Sequence, residues 1–227
     1  MEILAPTLLE YGAVRGALPH ARTRWAGVHL ARWHGTDEGA SVIVCGLAGA
    51  LAPDLPAGTV LVPAWVGLAD GRLMPCDPTL VQRLVTAAHA LHWQPDTRPL
   101  LTAPSLIVGD SRRAWYQQGF VAADMETGLL AERNLRVATI RVVLDSPTHG
   151  ISPDWLQPMR ALLQPQLWPE LCWLSCVAPR YALRAAHVLK KALASPLHQP
   201  EPAACHQFQA VSPNYWRNHC MKKEYTE

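Results

Sequence analysis

The sequence predicts an α/β domain with a largely central sheet and a helical C-terminal part, and two observations carry this. Up to Asp145, short β-branched or apolar runs recur with helix-compatible stretches between them, the alternation of a sheet covered by helices. After Asp145 the strand-like runs stop, and Pro153 to Leu193 is mostly helical in pattern, broken by Pro158, Pro165, Pro169 and Pro179.

Glu2–Ala5 reads as a first strand and Leu8–Leu18 as the helix after it. Val28–His34 alternates, as a half-buried strand does. Ser41–Gly46 is a near-continuous apolar run closed by glycine, the pattern of a strand buried on both faces. Thr59–Val62 is a further short strand, stopped by Pro63. Asp77-Pro78 supplies an N-cap and a first-turn proline for a helix running to about His92, with Leu80, Leu84, Val85 and Ala88 at helical spacing. Leu106–Val108 and Phe120–Ala123 read as strands, Glu126–Asn134 as a helix, and Val137–Leu144 as the strongest buried strand. Residues 195–227 are rich in Pro and His without periodicity and read as a poorly ordered tail after a domain of residues 1–194.

The 227 residues are 49% hydrophobic and 17% charged, enough to bury a sizeable core. Twenty Lys+Arg against 18 Asp+Glu give no bulk field for nucleic acid, which excludes binding of that kind. No apolar run approaches the ~20 residues of a membrane span, and Met1-Glu-Ile-Leu-Ala-Pro lacks the basic lead of a signal peptide. The expectation is a cytoplasmic protein with its six cysteines reduced. Cys172 and Cys176, four apart, read as two small buried side chains on one helical face. Arg180, Arg184, Lys190 and Lys191 beside apolar residues allow either a packed helix with a solvated basic face or peripheral contact with the inner membrane. Cys205-His206 and His219-Cys220 offer a zinc-like pairing in the tail, and the expectation is no metal.

Phosphate-loop, dinucleotide-loop, zinc-protease and nucleophile-elbow motifs are all absent. What remains is acids beside strand ends: Glu10 after the first strand, Asp124 and Glu126 after the strand ending at Ala123, and Asp145 at the end of Val137–Leu144. Ligands of open α/β sheets bind at the carboxyl ends of strands, so these acids converge on a site; read singly, each is equally a helix N-cap.

Three motifs in this order resemble the nucleoside phosphorylase and nucleosidase superfamily. They are the glycine-rich Gly46-Leu-Ala-Gly-Ala-Leu-Ala-Pro-Asp-Leu-Pro-Ala-Gly-Thr59, Asp124-Met125-Glu126, and Arg141-Val-Val-Leu-Asp145. The aliphatic Leu47 and the helical end Leu-Trp-Pro-Glu-Leu171 with Ala182–Leu193 are similar to the hopanoid-associated branch, which cleaves adenosylhopane. The resemblance implies a three-layer αβα sandwich with a mixed, mostly parallel sheet. It also implies cleavage of the N-glycosidic bond of an adenine nucleoside, by phosphate or by water, in a homo-oligomer. No cofactor is expected; phosphate is a possible co-substrate. A methylthioadenosine/S-adenosylhomocysteine-type nucleosidase and a non-catalytic nucleoside-binding protein on the same fold stand as alternatives.

By the same resemblance, Asp145 protonates the purine at N7 or holds that proton by a hydrogen bond, burial behind Ile140, Val142 and Val143 favouring the protonated acid. Glu126 accepts from the ribose hydroxyls, Met125 packs on the sugar, and Glu10 positions the attacking water. Asp124 and Arg141 belong to the substrate-binding motifs, and a turn at Gly46, Leu47, Ala48 and Gly49 brings backbone N–H groups to the nucleophile. Arg15, Arg24 and Arg32 are the candidate phosphate ligands, Trp115 or Tyr116 the candidate base-stacking ring, and Leu144 stands where the family carries serine. Only Thr36–Ala40 separates Val28–His34 from Ser41–Gly46, too few for a parallel crossover, so a strand and helix of the family are expected to be missing or replaced there.

Overall fold

Among the described residues, nine strands form one mixed, mostly parallel sheet with helices against it. A computed structural model of the chain describes residues 1–35, 39–148, 150–152, 154, 161 and 163–194. In chain order the elements are β1 (Glu2–Ala5), α1 (Leu8–Ala17), β2 (Thr23–Trp25), β3 (Ser41–Ala50), β4 (Val60–Leu61), β5 (Trp65–Leu68), β6 (Leu73–Pro75), α2 (Pro78–Ala90), β7 (Leu100–Thr102), α3 (Asp110–Gln117), β8 (Ala122–Asp124), α4 (Thr127–Ala131), β9 (Arg136–Asp145) and α5 (Trp168–Ala194).

The centre is β3 against β9, two buried ten-residue strands paired in parallel from Ser41↔Arg136 to Gly49↔Asp145. The opposite edge of β3 is shared: β1 runs parallel to its first half, and β8 runs antiparallel to its last two residues. From there β2 extends one side and β7, β5 and β6 the other. The largest core cluster joins Ile43 and Cys45 of β3, Ile140 and Val142 of β9, Leu80, Val81 and Leu84 of α2, and Ala185, Val188 and Leu189 of α5. Helix α2 starts where the sequence places it: Asp77 accepts the N–H of Leu80 at 2.9 Å, and Pro78 occupies the first turn. Met1–Leu193 form one compact unit; the second, Ala194–Glu227, lies beyond the described residues except for Ala194, so the expected tail and its Cys/His pairing lie outside them.

Several expectations need correction. Val28–His34 is not a strand; it opens with a 3-10 turn at Val28–Leu30, because Gly27, His29 and Leu30 all take positive φ (75°, 54° and 59°). The second strand is Thr23–Trp25, so about fifteen residues lead to β3, enough to cross over β1. Leu106–Val108 is irregular, and β5, β6 and β7, each of three or four residues, had no separate signal. Pro179 does not break the C-terminal helix; α5 runs through it. Cys172 and Cys176 are exposed, because the buried face of α5 begins only at Ala178. That face, through Ala182, Ala185, Ala186, Val188 and Leu189, is packed in the core, so a membrane cannot also take it. Arg184 donates to the carbonyl of Gly58 and sits over the rings of Tyr181 and Trp93. Among the described residues, no helix is long and apolar enough to cross a membrane.

Candidate active site

Period-two alternation on β9 turns Thr139, Arg141 and Val143 to one face and Ile140 and Val142 to the other, and the register shift that skips Leu144 resets the alternation before Asp145. Arg141, 1% exposed, is the centre of the site. Its Nε donates to Thr139 Oγ1 (3.1 Å) and its Nη1 to the carbonyl of Leu47 (3.2 Å). Its Nη2 meets Asp124 (2.5 Å), Glu126 (3.2 Å) and Thr127 Oγ1 (3.2 Å).

Asp124 ends β8, opposite Thr102 of β7 in the parallel register. Besides Arg141 it accepts from Thr102 Oγ1 at 2.6 Å, from the Thr127 N–H at 3.2 Å and from Thr127 Oγ1. Three of these donors fall on Oδ2 and one on Oδ1, so the carboxylate fixes Arg141 and the start of α4. Met125 is half-buried in the link to α4, and Glu126 immediately precedes that helix.

Glu126 is buried, and among the described residues its partners are the His29 N–H at 3.4 Å and Arg141. Burial pushes its carboxyl up to about 7; Arg141 pulls the other way, and the charges of Asp124 and Glu10 add to the rise. A carboxyl raised from 4.5 binds protons more readily folded than unfolded, so it costs stability as pH climbs through about 4.5 to 7. Glu126→Gln is therefore expected to gain roughly 1–3 kcal/mol over the wild type at pH 8 and almost nothing at pH 4, measured by urea unfolding at both pH values.

Glu10 is held by a capping box: the Thr7 side chain accepts the N–H of Glu10 at 3.3 Å while the Thr7 N–H donates back to Glu10 Oε2 at 2.7 Å. Its other oxygen, Oε1, accepts the N–H of Leu47 at 2.7 Å. With Thr7 Oγ1 also on Oε2 at 2.7 Å, three of about four lone-pair positions are filled, which leaves room for one further donor. Burial, reinforced by the charge of Glu10, lifts the thiol of neighbouring Cys45 far above its usual range.

The glycine segment is not a turn. Gly46, Leu47, Ala48 and Gly49 lie inside β3, with a register shift between Ala48 and Gly49. The glycines are required for another reason: they stand in register with Arg141 and Asp145. A Cβ at Gly46 would collide with the Glu10 carboxylate, and one at Gly49 would lie 2.8 Å from Asp145 Oδ1.

Asp145 was expected to be shaped by burial alone. The structure adds a counter-charge that sequence reasoning missed: Arg112 of α3, itself buried, is ion-paired with Asp145 through Nη2. Trp115 packs edge-on against Phe120 (6.0 Å between centroids, 67° between planes), and Tyr116 packs on the core. Arg15 donates to the Pro19 carbonyl, Arg24 pairs with Glu2 at 2.5 Å, and Arg32 lies 3.9 Å over the Trp25 ring. Leu144 is half-buried next to Asp145. The described residues contain no group of acids, histidines and cysteines that would hold a metal ion.

The family model of the Phosphorylase superfamily matches residues 34–157, more than half of the sequence and the whole stretch from β3 through β9. The chain belongs to the phosphorylase superfamily. Its membership makes it an enzyme of the nucleoside phosphorylase and nucleosidase kind. Among solved structures it is similar to the futalosine hydrolase of Helicobacter pylori strain 26695 (12% identity, 85% of this chain and 96% of that one, TM-score 0.63). It is also similar to the 5′-methylthioadenosine/S-adenosylhomocysteine nucleosidase of Neisseria meningitidis in complex with methylthio-immucillin-A (14%, 85% and 97%, 0.63). The corresponding nucleosidase of Campylobacter jejuni matches at 13% identity, over 85% and 97%, with a TM-score of 0.61. No curated protein matched the sequence.

Proposed function

We propose that this member of the superfamily hydrolyses the N-glycosidic bond of an adenine nucleoside, with water as the nucleophile held by Glu10. The observation that carries the reading is the Glu10 carboxylate seated on the N–H of Leu47. Phosphate would need that N–H and a nearby cation, but the N–H is taken and a carboxylate repels a phosphate dianion. Arg15, Arg24 and Arg32 are engaged elsewhere, and Arg141 is consumed by Asp124 and Glu126.

Cleavage builds positive charge on the ribose and negative charge on the leaving purine. Glu126, ionised above pH about 7, accepts from the ribose hydroxyls and keeps the sugar beside Glu10 while that charge grows. Met125 covers the sugar. Asp145 holds by hydrogen bond the proton that the purine takes up at N7 as it leaves. Since only the ionised Glu126 can play this part, kcat/KM is expected to fall about tenfold for each pH unit below 7.

The 5′ substituent is proposed to be extended and apolar, as in adenosylhopane. Leu8 and Leu9, just before Glu10, are 60% and 39% exposed, and Val28, next to the His29 N–H on Glu126, is 39% exposed. Apolar side chains flanking both carboxylates suit a hydrocarbon tail. The second reading, a methylthioadenosine-type nucleosidase, is favoured by the fold likeness to such enzymes. Adenine release from adenosine, methylthioadenosine and adenosylhopane, followed by chromatography, separates the two. Release from adenosylhopane well above the others supports the lipid substrate; methylthioadenosine preferred overturns it.

A further inference from the structure

The face of α5 opposite its packed residues carries one continuous outward stripe. Trp168, Cys172 and Cys176 follow at four-residue steps, and Leu183, His187 and Lys190 continue the line at helical spacing; all six are exposed. The first part is apolar. Trp168 is 55% and Leu183 42% exposed, and Leu163, just ahead of the helix, is 82% exposed. From Trp168 to Leu183 the stripe runs roughly 20 Å. A single exposed apolar side chain is ordinary, but a line of this length headed by tryptophan marks a contact surface.

The charge says what covers it. From Leu171 to Ala194 the sequence carries Arg180, Arg184, Lys190 and Lys191 and no acid. Arg184 turns inward to the Gly58 carbonyl, while Arg180, Lys190 and Lys191 are exposed on or beside the stripe. Glu170, the one acid of α5, lies on the other side and accepts the Ser152 N–H at 2.8 Å. We infer that this stripe docks the protein on an anionic lipid bilayer, with the apolar side chains among the acyl chains and the three cations against the headgroups. A second copy of the chain offers no acid on the same stripe to pair with these cations; a sheet of anionic headgroups meets them all. Tryptophan suits that boundary, its ring apolar and its N–H polar. Among the described residues no helix can span a membrane, so the contact is peripheral. The stripe begins close to the site: Glu170 holds Ser152, and the adjacent Ile151 donates to Asp145 Oδ2 at 3.2 Å. Docking itself does not depend on which nucleoside is cleaved; that the bilayer delivers the substrate rests on the proposed apolar 5′ substituent.

Vesicle flotation of the full chain tests this, with phosphatidylcholine alone and with an equimolar mixture of phosphatidylcholine and phosphatidylglycerol. The protein is expected to float with the anionic vesicles, to bind the neutral ones roughly tenfold more weakly, and to be released by added salt. Leu163→Ser with Trp168→Ser, and separately Arg180→Glu with Lys190→Glu, are each expected to weaken binding roughly tenfold or more, with base release from a soluble nucleoside unchanged. An environment-sensitive dye on Cys172, with Cys176, Cys205 and Cys220 changed to serine, is expected to shift to the blue on anionic vesicles. Absence of flotation, or flotation that survives both pairs of substitutions, overturns the inference. So does a dimer in sedimentation that the Leu163→Ser, Trp168→Ser chain cannot form, since the stripe is then an interface between copies. Vesicle binding lost in the variants, without base release from any nucleoside, overturns the proposed hydrolysis and leaves the docking surface standing.

Discussion

Replacing Arg141 with Met is expected to destabilise the protein by roughly 3–5 kcal/mol, a large share of the ~5–15 kcal/mol that holds a domain together. The side chain is 1% exposed and is the counter-charge for Asp124 and Glu126, both buried. Removing it strands two carboxylates, and it also leaves the Leu47 carbonyl and Thr139 Oγ1 without the donors they now have. Urea unfolding measures the loss. Adding Asp124→Asn to the same chain should recover part of it, because one stranded charge is gone and the double-mutant cycle then reports the pair. An Arg141→Met protein within 0.5 kcal/mol of the wild type would contradict the charge accounting at the centre of the site.

Glu10→Gln is expected to lower the rate of base release by about 10²- to 10⁴-fold while costing only about 1–3 kcal/mol of stability. The amide oxygen of Gln still accepts the Leu47 N–H and the Thr7 side chain still accepts the N–H of residue 10, while the Thr7 N–H loses its acceptor to the new NH2 group. What is lost is the ability to take a proton from water. Steady-state kinetics beside a thermal melt separates the two effects. A folded variant with a rate within tenfold of the wild type would show that Glu10 is a cap and nothing more.

Much of this arrangement was legible in the residues themselves. Ser41–Gly46 and Val137–Leu144, long apolar runs, became the paired centre of the sheet, although β3 runs on to Ala50 through what had been expected to be a turn. Glycine marked the right places for a wrong reason, since Gly46 and Gly49 make way inside a strand for Glu10 and Asp145 rather than forming a turn around the nucleophile. The four acids Glu10, Asp124, Glu126 and Asp145 were visible because each lies at a strand end, while the capping box Thr7-x-x-Glu10 is a second sequence signal at the same place. Alternation over Val28–His34 misled, because three successive-region residues with positive φ cannot be seen in a hydropathy pattern. Arg112 had no local signal at all. Its partner lies 33 residues away, and only the packing of α3 against the ends of β3 and β9 brings them together.

The central claim is that water, not phosphate, attacks the sugar. Mass spectrometry of the sugar product, formed from the cleaved nucleoside in excess phosphate, tests it most directly. The account predicts the free sugar, at a rate unaffected by phosphate, because the Glu10 carboxylate holds the Leu47 N–H that phosphate would need. A sugar 1-phosphate, formed only when phosphate is present, would contradict it.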